Sequence, residues 1–395
     1  MRHRIVVLGA GYSGATAAGR LAKRLHPDDV EITVVNADAD FVERVRMHQL
    51  ATGQNLARRP LRDIYAGTGV ALRLARATAV DVERKTVALV DDQGVAEIAY
   101  DTLVYALGST AADHGVPGVA EHAYDIAGRP AALRLRDRLA ELGAGATVLV
   151  VGGGLTGLEA VTEIAEARPD LDVALAARGG LGDWLNDTAR RHLRGVCDRL
   201  GITVHEHTDV TRVDASGVTT GAGRLIPAQV TVWTTGFAVH PIAAATTLTV
   251  AETGQIVVDG TMRSVSHPDV YVVGDAGLAA GPGGKPLRMS CASGVPMAWQ
   301  AADAIAARLT GQTKIPKAPL RYFNQCVSLG RNDGIIQFVT ADDQARPAQL
   351  TGRLAARYKE IVCKGAAWGI AHPVLYPVRR RRLTATRPQA LTTAP

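Results

Sequence analysis

The 395-residue chain is 47% hydrophobic and 21% charged, with 41 glycines and only 4% aromatics. That is the balance of a folded α/β protein long enough for two or three domains. No run reaches the ~20 apolar residues of a membrane span, and the N-terminus runs from Arg4 straight into a glycine turn, unlike a secretory signal, so a cytoplasmic location is expected.

The net charge of +6 is unevenly placed: from Arg346 onward ten Lys/Arg stand against Glu360 alone, giving +9 there and −3 for the remainder. No stacking aromatics accompany a basic face, so a nucleic-acid partner is not expected. The four cysteines, Cys197, Cys291, Cys326 and Cys363, form no CxxC pair. Neither a metal knuckle nor a local redox disulfide is implied, and no metal is expected.

In chain order, Ile5 to Leu8 reads as a strand, followed by Gly9-Ala10-Gly11-Tyr12-Ser13-Gly14, a helix from Ser13 to Leu25 and a strand from Glu31 to Val35. This is the context in which GxGxxG binds a dinucleotide: the glycines shape the turn, admit a pyrophosphate and let helix and strand pack closely. Asn36 stands where an acidic ribose ligand is expected; its amide can still bond ribose hydroxyls. Tyr100 to Ser109 (YDTLVYALGS) is a buried-type strand ending in small residues, among them Ala106 and Gly108. Val148 to Val151 then opens a second copy, Gly152-Gly153-Gly154-Leu155-Thr156-Gly157, with a helix to Ala167 and a strand from Val173 to Ala177. VTVWTTG, ending at Gly236, and HPDVYVVGD, ending at Gly274-Asp275, follow. The last delivers an Asp at the carboxyl end of a strand, where open α/β sheets bind ligands.

Taken together, GAGYSG, YDTLVYALGS, GGGLTGLE, VWTTG and VYVVGD resemble the two-dinucleotide-domain flavoproteins, the pyridine nucleotide–disulfide oxidoreductases in the broad sense, over roughly residues 1 to 340. The resemblance implies two Rossmann-like three-layer domains. An NAD(P)H-binding domain (113–254) is inserted in a discontinuous FAD-binding domain (1–112 and 255–318), followed by a small C-terminal α+β region (319–383) and a disordered tail (384–395). It places Gly9, Gly11, Gly14, Asn36, Arg44, Ala106, Gly108, Gly274 and Asp275 at FAD. Gly152, Gly154, Gly157, Arg178 and Gly236 fall at NADPH or NADH. Arg44 and Arg46 read equally as FAD phosphate contacts or as solvated charges.

No cysteine pair follows the second strand (DADFVERVRMHQLATGQ), which excludes thiol-relayed disulfide reduction. The outline is similar to type II NADH dehydrogenases and apoptosis-inducing-factor-like quinone reductases. Their Ala-Gln-x-Ala-x-Gln stretch is matched here only by Ala298 and Gln300 of VPMAWQ. The implied activity is hydride transfer from NAD(P)H to FAD and then electrons to a quinone-like acceptor. A soluble tailoring flavin oxidoreductase and a redox-responsive regulatory flavoprotein are the alternatives. In this resemblance Glu159 is the catalytic group beside the nicotinamide; a carboxylate complementing the helix dipole is the competing reading. Ala177 in place of a carboxylate, followed by Arg178, favours NADPH over NADH. Cys291 and His48 read as buried structural side chains.

Leu350, Leu354, Tyr358, Ile361 and Val362 form an apolar stripe flanked by Arg353, Arg357, Lys359 and Lys364, with Trp368 and the Arg379 to Arg382 run beyond. Such a helix fits either peripheral contact with the inner face of the cell membrane or docking on the body or a partner subunit. A homodimer is compatible with the sequence.

Overall fold

The computed structural model describes residues 1–374, 376 and 378–384. Apolar strand β1 (His3–Leu8) leads into the glycine turn and helix α1 (Tyr12–Arg24), and β2 (Val30–Asn36) returns parallel to β1, Leu8 opposite Val35. A short helix α2 (Met47–Ala51) and strand β3 (Val70–Leu74) follow. After an antiparallel ribbon between 76 and 99 comes β4 (Thr102–Tyr105).

The second unit repeats the plan with β5 (Thr147–Val151), α3 (Leu155–Ala167), β6 (Asp172–Ala176), β7 (Thr203–His205) and β8 (Val230–Trp233). Its parallel sheet is ordered β7–β6–β5–β8, with Ala123–Tyr124 beyond β8. The chain then leaves this sheet: β9 (Val270–Val272) pairs with β4, completing a first sheet ordered β9–β4–β1–β2–β3, also all parallel. The second unit is thus inserted into the first.

Parallel sheets need cover on both faces. Helix α4 (Cys291–Leu309) lies along α1, and their shared face is made of small residues, Ala15 and Ala18 against Ala298, Ala301 and Ala302, all fully buried. Small side chains let the two helices approach closely. Arg20 forks across the seam to Asp303, Nε to Oδ1 at 2.7 Å and Nη2 to Oδ2 at 2.9 Å, a bidentate pair away from water.

The C-terminal region is an antiparallel sheet of β10 (Asn324–Ser328), β11 (Gly334–Val339) and β12 (Ala345–Thr351), capped by α5 (Gly352–Ala371). Here the structure corrects the expected apolar stripe. Leu350 belongs to β12, and Leu354 and Ile361 are 65% and 68% exposed. The docking face is Ala355, Cys363, Ala367 and Ile370, because α5 lies against α1 and the strands, where small side chains fit. Lys359 shares that inward row rather than flanking it. The arginine run also docks in part: the Arg381 N–H donates to Arg24 O at 2.8 Å, and Arg382 pairs with Asp28 and Asp29 at 2.9 Å each. Of the expected disordered tail, Thr384 donates its N–H to Leu309 O at 3.1 Å, and 385–395 lie outside the described residues.

Candidate active site

The two glycine turns open into one cavity of about 950 Å³. Within each turn the glycines divide their work by geometry. A Cβ on Gly14 would stand 1.9 Å from Gly9 O, and one on Gly157 would stand 1.8 Å from Gly152 O, so both positions are closed by the crossing of helix and strand. A Cβ on Gly11 or Gly154 would meet nothing within 4 Å. Those two line the cavity, with bare backbone at the N-termini of α1 and α3 turned towards it. Gly9 and Gly152 form the sharp turns, at φ +96° and +124°.

Around Gly11 the cavity is lined by Arg44, Ala106, Gly108, Gly274 and Asp275. Ser109 Oγ donates to Asp275 Oδ2 at 2.6 Å, and Arg44 Nη2 approaches Ser109 Oγ at 3.5 Å. Burial pushes the Arg44 guanidinium below its ordinary value although Asp275 and Asp125 support its charge; among the described residues no carboxylate forms a salt bridge with it. A half-buried cation of this kind beside open glycine backbone fits a pyrophosphate-bearing dinucleotide. Arg46 is engaged elsewhere: it pairs with Glu43 at 3.0 Å and with Glu360 at 2.9 Å, and so holds α5 to the body. Asn36 is engaged by backbone groups, its Oδ1 accepting from the Ala10 N–H at 2.9 Å and its Nδ2 donating to Asp38 O at 2.8 Å. It braces the turn that leads to Gly11 and does not line the cavity.

On the second unit's side Gly152, Gly154, Ala177, Arg178 and Gly236 line the cavity. Arg178 is exposed at its edge, with no ionic partner among the described residues. Trp233 gives an apolar wall, its indole N–H donating to Ala112 O at 2.7 Å.

Glu159 faces the same cavity from α3 and is 8% exposed. Its Oε1 takes Lys359 Nζ at 2.8 Å, and the N–H and Oγ of Ser328 at 3.1 Å each. Burial opposes ionisation, but Lys359, His48 and the Ser328 N–H together hold the carboxyl below its usual range. Lys359 is raised correspondingly, burial being outweighed by Glu159, so the pair is ionic in the folded chain. His48 is buried, its Nδ1 3.8 Å from Glu159 Oε2 and its Nε2 3.3 Å from Ser328 Oγ. Burial lowers its pKa to about 4, which leaves the imidazole neutral. His48 is structural in its burial yet belongs to the wall of the site.

Three of the four free cysteines, Cys291, Cys326 and Cys363, border the cavity. Burial raises all three despite Lys359 nearby, Cys326 to about 12. They are protonated thiols and supply no thiolate relay. Residues 291, 326 and 363 share no local motif, so only the fold brings them together. Lys359 and Ser328 escaped the sequence reading for the same reason, although Ala355, Lys359, Cys363 and Ala367 recur every four residues, a legible row of small side chains interrupted by one cation. Gln300, the surviving glutamine of VPMAWQ, does not reach the cavity; its Oε1 accepts from the Ala318 N–H at 2.8 Å and pins the segment after α4.

A family profile described as pyridine nucleotide-disulphide oxidoreductase matches residues 3–306. An NADH dehydrogenase-like protein of Mycobacterium tuberculosis is 29% identical over 319 residues, covering 74% of this chain and 78% of its own. A demethylphylloquinone reductase of Synechocystis is 24% identical over 379 residues, covering 91% and 92%. Among solved structures, NDH2 from Plasmodium falciparum in complex with NADH superposes with a TM-score of 0.77 at 15% identity, covering 94% and 96%.

Proposed function

The chain belongs to the pyridine nucleotide-disulphide oxidoreductase family and is a flavin- and NAD(P)H-dependent oxidoreductase, and from that premise we propose that it carries FAD, prefers NADPH and reduces a quinone-like acceptor. One observation carries the reading: both glycine turns and the Glu159–Lys359 pair border a single cavity, so a hydride donor, a flavin and an acceptor can meet there. We assign 1–112 and 255–318 to FAD, 113–254 to NAD(P)H and 319–383 to the acceptor side.

In this reading the open backbone at Gly11, with Arg44, takes the FAD pyrophosphate, and Asp275, oriented by Ser109, bonds the chain between pyrophosphate and ring. Gly152 and Gly154 take the NAD(P)H pyrophosphate. Arg178, with Ala177 in place of a carboxylate, pairs with a 2′-phosphate. The bound flavin supplies a two-electron relay from hydride donor to acceptor. Trp233 and Leu155 exclude water from the chamber. Glu159, fixed by Lys359 and Ser328, holds a carboxylate at the cavity wall, where it orients the nicotinamide and receives and releases a proton. The quinone-like acceptor draws support from the demethylphylloquinone reductase resemblance. It also draws on the apolar side chains that α5 exposes, Leu354, Ile361, Val362 and Trp368, beside Arg353 and Arg357. A surface of that composition suits peripheral contact with an anionic membrane. No described helix is long and apolar enough to cross one.

The test is direct. The purified protein should release FAD on denaturation and oxidise NADPH with a soluble quinone such as menadione. A protein that releases no flavin, or whose NADPH oxidation menadione leaves unchanged, contradicts the reading.

A further inference from the structure

A second cavity, of about 430 Å³, is enclosed by residues of α2, the β10–β11 loop and α5. Its volume lies in the range of small-molecule sites, about 300–1,000 Å³. Gln49, Ser328 and Cys363, each buried, make its inner part, and the exposed Arg331, Arg353 and Arg357 line it as well. Lys359 and Cys363 border this cavity and the large one alike.

The lining offers donors without matching acceptors. Arg353 and Arg357 stand one turn apart on α5, and among the described residues neither side chain forms a salt bridge or a hydrogen bond. Like charges at that spacing repel each other. Arg331 reaches the cavity from the loop, and its carboxylate neighbours are distant: Glu360 at 3.8 Å and the buried Glu163 at 4.0 Å. Glu360 is the one carboxylate that lines the cavity among the described residues, and it is already engaged. Arg46 Nη1 and Nη2 donate to its Oε2 and Oε1 at 2.9 and 3.0 Å, and Lys364 Nζ stands 3.4 Å from Oε1. Lys359 is paired with Glu159. Gln49, 5% exposed, accepts Arg46 Nη1 on its Oε1 at 3.2 Å, whereas its Nε2 meets no acceptor among the described residues. A buried donor is rarely left so, and the group that would satisfy this one together with three guanidiniums is an anion with acceptors only.

We propose that the second cavity is a binding site for a phosphate group, held by Arg331, Arg353 and Arg357 with the Gln49 amide. The site lies outside both dinucleotide turns, and it depends neither on the acceptor reading nor on the NADPH assignment. A guanidinium presents a planar fork of donors, and a tetrahedral phosphate takes such forks from several sides at once, which a planar carboxylate does not. Here the forks come from two elements, the loop and α5. A phosphate between them ties together the segments that bring Ser328 and Lys359 to Glu159, and so stiffens the wall of the large cavity. The group arrives either on a soluble phosphate monoester or on a lipid headgroup, since the exposed Ile361 stands one turn beyond Arg357 on α5.

The probe is inorganic phosphate, titrated into the purified full chain with FAD and NADP+ present, against KCl of equal ionic strength. Amide exchange read by mass spectrometry locates its binding. Phosphate should slow exchange several-fold over 328–333 and 352–363 and leave the glycine turns at 9–14 and 152–157 unchanged. Arg353→Gln and Arg357→Gln remove no ion pair of the fold among the described residues, so both should keep the wild-type melting temperature. Each should raise the phosphate concentration for half the effect about tenfold or more, the loss expected for one charge-assisted contact. Co-sedimentation with phosphatidylcholine vesicles, with and without phosphatidic acid, separates the two sources. Retention that needs phosphatidic acid and falls in Arg353→Gln assigns the phosphate to a lipid. Protection by inorganic phosphate without such retention assigns it to a soluble monoester. No slowing beyond the KCl control, equal slowing by acetate, or slowing that survives both substitutions overturns the site.

Discussion

Replacing Lys359 by Met leaves Glu159 as a buried carboxylate without its cation. At 2.8 Å the Coulomb attraction comes to about 6 kcal/mol for an effective dielectric constant near 20. Desolvation of both ions offsets much of this, since the Lys359 and Glu159 side chains are only 15% and 10% exposed. The net worth of the intact pair is therefore small, whereas removing one partner costs about 3–5 kcal/mol. Lys359→Met and Glu159→Gln should each lose about 3 kcal/mol, and the double variant should lose less than the two together, with a coupling of at least about 2 kcal/mol. Urea unfolding of the four proteins at pH 7, followed by circular dichroism, measures this. Lys359 also donates to Cys326 O at 3.0 Å, so Lys359→Met should raise amide exchange over 352–371 before the rest of the fold. Single variants that each lose under about 1 kcal/mol, with an additive double variant, would refute a buried ionic pair.

Four further outcomes are expected of the same structure. Gly11→Ala should fold with wild-type stability and lose flavin, because its Cβ enters open cavity, while Gly14→Ala should fail to fold, its Cβ lying 1.9 Å from Gly9 O; flavin content and thermal melting of the two tell them apart. Arg178→Ala should lower the NADPH-to-NADH ratio of kcat/KM about tenfold or more, the loss expected for one charge-assisted contact, and an unchanged ratio rejects that assignment. His48, held near 4 against 6.5, stays neutral when folded, while the unfolded chain takes a proton below about 6.5. Stability should therefore fall as pH drops from 6.5 towards 4, and His48→Asn should flatten that slope in chemical denaturation. Glu163 works in the opposite direction: raised to about 7 from 4.5, it is fully accommodated below 4.5 and loses stability as pH rises through 7. Glu163→Gln should then be more stable than wild type at pH 8, by at most about 3 kcal/mol.

The two dinucleotide units were legible because their signal is local. Each strand, glycine turn, helix and strand is contiguous, and Gly14 and Gly157 are confined by atoms only five residues away. The return of Val270–Val272 to the first sheet was legible only through the order of motifs, since nothing in VYV names β4 as its neighbour. The Glu159 wall of the cavity was not legible. Glu159, Ser328 and Lys359 are brought together by three separate elements, and the β10–β11 loop carries no motif. The C-terminal helix misled for a different reason. Large apolar side chains usually mark the buried face of a helix, but α5 packs so closely on α1 and the strands that Ala355, Cys363 and Ala367 occupy the interface and Leu354 and Ile361 face outward. Gln300 and Asn36 show the same limit at single residues. Each residue type suits a ligand contact, and each instead spends its amide on a backbone group that only the fold brings near.

Anaerobic stopped-flow mixing of the flavin-loaded protein with NADPH, followed by a second mix with menadione, tests the central claim most directly. The account predicts rapid loss of the oxidised-flavin absorbance in the first mix and its rapid return in the second. A flavin that NADPH does not bleach, or that stays reduced in the presence of the quinone, would contradict it.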